Sequence, residues 1–422
     1  MPRKTVAFHT LGCKLNYSET STLSRMLEQE GFVKKDFEDH ADVYVLNTCS
    51  VTENADKECR QIVRRIQRKA PESLVIITGC YAQLKPKEIA SIPGVDLVLG
   101  AAEKFNIAEH IREISKGDSA KICSCDIEEV SGFHSSYSLL DRTRTFLKVQ
   151  DGCDYNCSFC TIPMARGKSR SDSISNVVRQ AEALAEKGVR EIVLTGVNLG
   201  DFGKGEHGNA RSENFFQLVQ ALDRVEGIDR LRISSIEPNL LGNDIISFVG
   251  ESRKFMPHFH IPLQSGSNRI LGLMRRRYRR ELYAQKVAQI KTLMPHCAIG
   301  VDVIVGFPGE TEIEFQETFD FLHELDVSYL HVFTYSERDH TLATTMDGVV
   351  PINLRHDRNK ILRNLSYKKM QWFTQQHEGQ IRKVLFEGHE KQQMMEGYTD
   401  NYIRVSTPFR PEWRNQLVDW RL

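Results

Sequence analysis

The chain has 422 residues, which corresponds to about two to four domains of ordinary size. Hydrophobic residues make up 40% of it and charged residues 27%, a balance typical of globular rather than disordered proteins. The 56 basic and 56 acidic side chains cancel, so net charge gives no argument for a nucleic-acid partner, and any such site must be a local patch.

No apolar run approaches the roughly 18 residues of a membrane span, and no export signal precedes the first strand-like segment. We therefore expect a cytoplasmic protein with no membrane partner. The chain contains ten cysteines. In a reducing compartment, cysteines in spaced groups are typical of metal or redox sites rather than disulfides.

Strand and helix patterns alternate over residues 1–120, the first predicted domain. Apolar runs of strand character lie at 6–11, 43–46, 74–77 and 95–99, with helical patterns at 18–29 and 55–69. This alternation predicts a doubly wound parallel α/β sheet.

Three cysteines follow successive strands of this sheet: Cys13, Cys49 and Cys80. The carboxyl ends of parallel strands share one edge, where ligands bind, so we expect the three thiols to converge on a metal site. The alternative is that they are buried as small hydrophobic side chains. That second interpretation is the one we apply to the four other cysteines, Cys59, Cys123, Cys125 and Cys297.

Residues 121–142 are polar and lack clear periodicity, which predicts a linker. From 143 to 372, strand-like runs alternate with helical patterns; the runs lie at 145–150, 191–195, 231–235, 258–263, 299–305 and 329–334. Six such units predict a partial parallel (βα)6 barrel, whose functional groups should lie at the carboxyl ends of its strands.

The first barrel strand leads into a loop with Cys153, Cys157 and Cys160, spaced C-x3-C-x2-C. Three thiolates on one short loop can hold three corners of a 4Fe-4S cluster and leave the fourth iron open. The alternative is a structural zinc site, which normally closes with a nearby fourth ligand. The nearest downstream histidine, His207, is far away in the sequence, so the cluster is favoured.

Polar residues also end the later barrel strands, and we predict that they form a ring facing the cysteine loop. Those singled out are Thr195, Gly196, Glu237 and Gln264. A separate basic patch surrounds Tyr278 and comprises Arg275, Arg276, Arg277, Arg279 and Arg280. It predicts RNA phosphate contacts with base stacking on the tyrosine; the alternative is a solvated helix surface.

The last predicted domain, 373–422, contains short strand-like runs at 381–386, 393–396, 402–406 and 416–420. They predict a small all-β barrel, too small to be very stable alone and so docked on the rest of the chain. Small barrels of this kind often bind RNA.

Together these motifs resemble the radical S-adenosylmethionine (SAM) methylthiotransferase family over essentially the whole chain. Cys153, Cys157, Phe159 and Cys160 match the radical SAM signature, and Cys13, Cys49 and Cys80 match the methylthiotransferase domain that precedes the barrel. The tail is similar to a TRAM domain. The resemblance implies two 4Fe-4S clusters and two SAM molecules per turnover, one as methyl donor and one as radical source.

The resemblance also implies roles for individual residues and partners. Phe159 is expected near the adenine of SAM, and Thr195, Gly196, Glu237 and Gln264 are further SAM-binding candidates. All six cysteines are expected to be essential for catalysis. The expected partners are a tRNA anticodon loop, an electron-donor protein and a sulfur source.

Three types of enzyme within the family have different substrates. The segment Thr10-Leu-Gly-Cys-Lys-Leu-Asn16 is similar to the type that acts on N6-threonylcarbamoyladenosine at tRNA position 37. The alternatives are the types that modify N6-isopentenyladenosine in tRNA or an aspartate of a ribosomal protein. An alternative from another class is a non-catalytic RNA-binding protein with structural metal sites.

Overall fold

The structure is a computed structural model that describes residues 4–50, 53–117, 119–139, 143–205, 212–388 and 393–422. His207 and residues 51–52 therefore lie outside the described part of the chain. Within it, no helix has the length and apolar character needed to cross a membrane.

The first domain contains a sheet of six described strands, all parallel, in the order β2-β1-β3-β4-β5-β6. The strands are β1 (Thr5–Thr10), β2 (Val33–Lys35), β3 (Val43–Thr48), β4 (Leu74–Gly79), β5 (Leu97–Leu99) and β6 (Lys121–Cys123). The helices are α1 (Lys14–Gln29), α2 (Glu53–Lys69), α3 (Cys80–Leu84), α4 (Pro86–Ala90) and α5 (Ile107–Arg112).

Separate hydrophobic cores pack on the two faces of this sheet. Every residue of β3 and β4 is buried, as expected for central parallel strands covered by helices on both sides. The predicted doubly wound α/β domain is therefore confirmed. The sequence pattern missed β2 and β6 because these edge strands have three residues each and are mostly exposed.

The strands of the second domain are β7 (Ser136–Tyr137), β8 (Arg144–Lys148), β9 (Gln150–Asp151), β10 (Arg170–Ser171), β11 (Glu191–Thr195), β12 (Arg230–Ile233), β13 (His258–His260), β14 (Ala298–Val305) and β15 (Tyr329–Thr334). Of these, β9 and β10 form a separate antiparallel pair. The helices of this domain are α6 (Ile162–Arg166), α7 (Ile174–Glu186), α8 (Phe215–Asp223), α9 (Asn243–Glu251), α10 (Asn268–Leu273), α11 (Arg280–Leu293) and α12 (Glu312–Glu324).

Six parallel strands run side by side in chain order, β8-β11-β12-β13-β14-β15, with single bridges joining β12 to the segment around β13. The largest hydrophobic core lies between these strands and the surrounding helices. The predicted partial (βα)6 barrel is confirmed.

The segment 121–142 was predicted as a linker, but its described residues contribute to both sheets. β6 pairs with β5 at the edge of the first sheet, and β7 pairs antiparallel with β8 of the barrel. Their polar composition obscured the strand pattern, since each is only two or three residues long.

The C-terminal part begins with the long helix α13 (Ile352–Gln375) and continues with β16 (Ile381–Phe386), β17 (Met394–Thr399), β18 (Arg404–Pro408) and β19 (Leu417–Arg421). These four strands form an antiparallel sheet in the order β18-β17-β16-β19. It docks on the amino ends of the barrel strands, where Arg230 donates to the carbonyl oxygens of Lys383 (2.6 Å) and Tyr398 (3.0 Å). The predicted all-β tail is thus confirmed, and it forms the floor of the barrel.

Candidate functional site

The strand ends bring Cys13, Cys49 and Cys80 to one edge of the first sheet. Thr10, Asn47 and Thr78 lie side by side in the register of β1, β3 and β4, and each cysteine follows two or three residues later. Cys13 precedes α1 and Cys80 begins α3. Cys80 and Cys13 are near enough that the charge of the Cys13 thiolate contributes to raising the pKa of Cys80, after the larger effect of burial.

Two glycines permit this convergence. Gly12 has φ +98°, and a Cβ there would lie 2.8 Å from Cys49 Sγ. Gly79 has φ +97°, and a Cβ there would lie 2.3 Å from the carbonyl oxygen of Thr48. Larger residues at either position would strain the backbone and push the cysteine-bearing loops apart.

The second set of thiols lies on the loop after β9. The amide of Tyr155 donates to Cys153 Sγ (3.4 Å), and the amide of Ile162 donates to Cys160 Sγ (3.5 Å). Burial raises the pKa of Cys153 and of Cys160 to about 12. These thiols must release their protons to bind a metal, and the amide donors are already placed to stabilise the resulting thiolates.

Each set provides three thiols, and three thiolates can hold three corners of a cubic iron–sulfur cluster while leaving one iron open. The kind and number of donors in each set therefore fit such a cluster.

A buried polar network connects the two sets of thiols. Arg166, in α6 just after the cysteine loop, donates to Asn16 Oδ1 (2.6 Å), Asp151 Oδ1 (2.9 Å) and Glu19 Oε1 (3.1 Å). Asn16 in turn donates to the carbonyl oxygens of Leu11 and Thr48, both at 2.9 Å, which end the strands before Cys13 and Cys49. The network therefore holds the loop and the strand ends in a fixed relation.

The charges around Glu19 are almost completely buried. Lys104 Nζ and Lys148 Nζ also contact its Oε1, at 2.7 and 3.0 Å. Burial raises the pKa of Glu19, but the neighbouring cations outweigh it and hold the pKa well below the ordinary 4.5. Sequence reasoning missed this network because its members are far apart in the chain and show no local pattern.

Another residue that sequence reasoning misassigned is Arg276. Its side chain is only 4% exposed, donates to Cys157 Sγ (3.0 Å) and forms an ion pair with Glu237. Tyr278 is buried and donates to the carbonyl oxygen of Pro262 at 2.8 Å. The prediction of an RNA-stacking tyrosine flanked by five surface arginines is therefore wrong for Tyr278 and Arg276.

The other arginines of that patch have different surroundings. Arg277 lies 3.9 Å from the centre of the Tyr155 ring, and Arg280 donates to the carbonyl oxygen of Gly266 at 3.2 Å. Arg275, Arg277 and Arg279 are exposed. For these three, RNA contact stays a prediction.

A cavity of about 190 Å³ adjoins the cysteine loop and contains two of the predicted SAM-binding residues, Phe159 and Gln264, beside Cys160. Gln264 adopts φ +70°, which turns the chain at the end of a barrel strand. Thr195 does not line this cavity; its hydroxyl donates to the carbonyl oxygen of Val193 at 3.0 Å. Gly196 also lies outside it and packs closely on Gln150, where a Cβ would meet Oε1 at 2.8 Å.

Asp302 also lines this cavity and joins two histidines inside the barrel. His260 Nε2 lies 2.8 Å and His331 Nδ1 lies 3.3 Å from Asp302 Oδ1. The second nitrogen of His260 contacts Ser235 Oγ at 2.8 Å. In the sequence, only the period-two spacing of polar residues along the barrel strands could have indicated this cluster of Asp302 and two histidines.

Two family models match the chain: "Uncharacterized protein family UPF0004" at residues 5–100 and "Radical SAM superfamily" at residues 147–322. A threonylcarbamoyladenosine tRNA methylthiotransferase of Bacillus subtilis is 42% identical, with 95% of this chain and 90% of the relative covered. The chain belongs to the radical SAM methylthiotransferase family. A 2-methylthio-N6-dimethylallyladenosine synthase of Clostridium botulinum is 32% identical, over 90% of this chain and 86% of that one.

Solved structures agree on the fold of this methylthiotransferase. The radical SAM methyltransferase TsrM of Kitasatospora setae superimposes with a TM-score of 0.56 at 15% identity, covering 78% of this chain and 73% of TsrM. Membership in the family makes the protein a SAM-dependent enzyme that transfers a sulfur-containing group, and it implies a 4Fe-4S cluster and SAM. The interpretation as a non-catalytic RNA-binding protein is not supported.

Proposed function

We propose that this methylthiotransferase converts N6-threonylcarbamoyladenosine at position 37 of tRNA into its 2-methylthio derivative. Supporting relatives are the enzymes named for threonylcarbamoyladenosine from Bacillus subtilis and Aquifex aeolicus, at 42% and 40% identity. The dimethylallyladenosine enzyme of Clostridium botulinum, at 32%, is more distant. The identities favour the threonylcarbamoyl substrate.

The observation that carries the proposal is the presence of two separate sets of three thiols, held together by one buried network. In this proposal Cys153, Cys157 and Cys160 would hold the cluster that binds SAM, while Cys13, Cys49 and Cys80 would hold a second 4Fe-4S cluster. When bound, these clusters and two SAM molecules, one as methyl donor and one as radical source, would supply the chemistry that side chains cannot, namely reductive cleavage of SAM and delivery of a sulfur atom to an unactivated carbon.

Side chains around the cysteine loop would bind SAM and hold the loop in position. Phe159 and Gln264 line the cavity beside Cys160 and would hold SAM. Arg276 donates to Cys157 and fixes Glu237, so Glu237 acts through Arg276. The loop meets the first domain where the Thr161 hydroxyl lies 3.5 Å from the carbonyl oxygen of Ser50, one residue after Cys49. This contact joins the cysteine loop to the segment that carries Cys49.

The macromolecular partner in this proposal is the anticodon loop of tRNA, with the exposed Arg275, Arg277 and Arg279 as phosphate contacts. An electron-donor protein and a sulfur source are also required, since the chemistry consumes electrons and a sulfur atom.

Analysis of tRNA nucleosides by mass spectrometry tests the proposal. A strain lacking this protein should lose 2-methylthio-N6-threonylcarbamoyladenosine and accumulate the unmethylthiolated nucleoside. Wild-type protein should restore it, and the C49A variant should not. An unchanged nucleoside profile, or loss of the dimethylallyl derivative instead, would overturn the assignment of the substrate.

A further inference from the structure

An open groove of about 580 Å³ lies outside the cavity that adjoins the cysteine loop. Lys57 of α2 lines one side of this groove, and His356 and Arg363 of α13 line the other. Residues 333–336, at the carboxyl end of β15, line both the groove and the cavity that contains Cys160. The end of β15 is therefore the rim between the groove and the space beside the cysteine loop.

One face of α13 presents a row of basic and aromatic side chains. Four exposed residues follow one another at intervals of four, three and four positions, which places them on one side of the helix: His356, Lys360, Arg363 and Tyr367. All four line an outer extension of the groove. At a rise of about 1.5 Å per residue, this α13 row spans about 17 Å.

The cations of the α13 row are available to a ligand. Lys360 and Arg363 form no ion pair or hydrogen bond with any residue that the structure describes. The one exposed carboxylate of α13 among these residues is Asp357, and it makes no ion pair with Lys360. Glu337 lines the groove but is paired with the buried Arg355, whose Nη1 lies 3.0 Å from its Oε2. The groove therefore has an excess of positive charge, although the net charge of the whole chain is zero.

A second basic row lies on α2, across the groove. Lys57, Arg64 and Arg68 are exposed and are separated by seven and four residues, so they share one face of the helix. Glu58 is also exposed, but it is turned about 100° around the helix from Lys57. Two helices from different domains thus place positive charge on both sides of the groove.

Two exposed aromatic rings accompany these charges. Phe333 is 41% exposed and lies on the rim, whereas Tyr367 is 58% exposed and lies at the far end of the α13 row. Proteins that bind single-stranded nucleic acid combine a positively charged groove for the phosphates with aromatic side chains on which bases stack. The groove has both of these features.

The wall formed by α13 is held rigidly against the barrel. Asn359 Nδ2 donates to the carbonyl oxygen of Val332 at 3.1 Å. The hydroxyl of Ser366 donates to the carbonyl oxygen of Leu330 at 2.9 Å and accepts from the Leu330 amide at 2.8 Å. The groove is therefore formed before any ligand binds, which lowers the entropy cost of binding.

We propose that this groove binds the single-stranded RNA next to the target adenosine, with Lys360 and Arg363 on phosphates and Tyr367 under a base. The inference rests on the function proposed above and names the surface that receives the tRNA. RNA fits better than an electron-donor protein, because the target base has to reach the cavity beside Cys160. A protein that only delivers electrons requires neither a groove nor exposed rings for stacking.

The test measures the affinity of the reconstituted full-length enzyme for tRNA by fluorescence anisotropy at several salt concentrations. K360M/R363M should weaken binding on the order of tenfold. It should also lower the slope of log affinity against log salt by about 1.4 to 1.8, since each lost phosphate contact contributes about 0.7 to 0.9. Y367A should weaken binding about tenfold with an unchanged slope, because stacking releases no counter-ions.

These effects should be the same for tRNA with N6-threonylcarbamoyladenosine or with adenosine at position 37, because backbone contacts do not read the base. The matched control is K368M, since Lys368 is an exposed lysine of α13 that lies about 120° around the helix from His356. Its affinity and slope should equal those of wild type. If iron content and circular dichroism show that K360M/R363M is misassembled, K360Q and R363Q replace it, each lowering the slope by about one.

The outcomes separate this inference from the function on which it rests. If wild-type enzyme methylthiolates N6-threonylcarbamoyladenosine and K360M/R363M binds tRNA with wild-type affinity and slope, the groove assignment is wrong and the function stands. If tRNA affinity is unchanged and activity falls with reduced flavodoxin but not with dithionite, the groove binds an electron-donor protein and the inference is overturned. If wild-type enzyme does not methylthiolate that nucleoside, the proposed function fails, and the affinities still decide whether the groove binds RNA.

Discussion

The two sets of cysteines differ in how the chain assembles them. Cys153, Cys157 and Cys160 lie on one loop of eight residues, whose own backbone amides donate to the sulfurs. Cys13, Cys49 and Cys80 lie on three separate strand ends and meet only because β1, β3 and β4 pair in parallel register. The first site is therefore formed by residues close together in the sequence, whereas the second forms only once the sheet has folded.

Because the two sites are assembled differently, different substitutions are expected to disrupt each of them. The loop site depends on a few neighbouring residues, including Arg276 on Cys157. The strand-end site depends on glycines at Gly12 and Gly79 and on the buried Asn16, which joins two strand ends to Arg166. A change far from any cysteine can therefore disturb the strand-end site while the loop stays intact.

The largest expected effect comes from removing one cysteine of each set. Both C157A and C49A should abolish methylthiolation and lower the iron content from about eight to about four per chain. Only C157A should also abolish formation of 5′-deoxyadenosine from SAM, because SAM is assigned to the loop site. Iron analysis and chromatography of anaerobically purified protein measure both effects.

The matched control for these variants is C125S, since Cys125 lies outside both sets. It should keep its iron and its activity. A C49A variant with unchanged iron content would show that the strand ends do not hold a cluster, so the proposal of two cluster sites would be wrong.

A smaller effect is expected from Glu19, whose carboxylate has the cations of Arg166, Lys104 and Lys148 around it. E19Q removes the counter-charge of a buried group and should cost roughly 3–5 kcal/mol of unfolding free energy at pH 7. The folded-state pKa of Glu19 lies below its ordinary 4.5. This stabilisation is therefore present above about pH 4.5 and is lost as the pH falls further.

Urea denaturation at several pH values checks this prediction. The gap in unfolding free energy between wild type and E19Q should be constant from about pH 7 to 5 and shrink below about pH 4.5. E251Q changes an exposed carboxylate and should show no gap at any pH. A gap that widened on acidification would contradict the assigned direction of the pKa.

The smallest of these effects is expected from Arg276, which touches one sulfur of the loop site. R276M removes an N–H donor and a positive charge beside Cys157, so the reduction potential of the bound cluster should become more negative. Activity should fall roughly 10- to 100-fold. A redox titration followed by electron paramagnetic resonance in the C49A background isolates this one cluster.

R279M serves as the control, because Arg279 is exposed and close in sequence. It should leave the potential unchanged. R276K keeps the charge but loses the guanidinium geometry, so its potential should lie between those of R276M and the parent. Equal potentials in R276M and R279M would show that Arg276 has only a structural role.

Patterns among neighbouring residues in the sequence predicted most of the fold. Strand β16 was expected at residues 381–386 and is observed at Ile381–Phe386, because alternation and flanking turns are properties of neighbouring residues. The basic run 275–280 was predicted incorrectly because some of its side chains contact residues that are distant in the sequence. Its composition suggested a surface, yet Arg276 and Tyr278 turn inward to partners at Cys157 and Pro262 that no local pattern indicates.

The sequence by itself determined the presence of a thiol-rich loop and of three cysteines at strand ends, since spacing and periodicity are written along the chain. Only the tertiary structure decided that Arg166, Asn16 and Glu19 join these sites. The physical reason is that burial and charge pairing depend on residues distant in sequence. The spatial neighbours of a charged side chain decide whether it is solvated or paired.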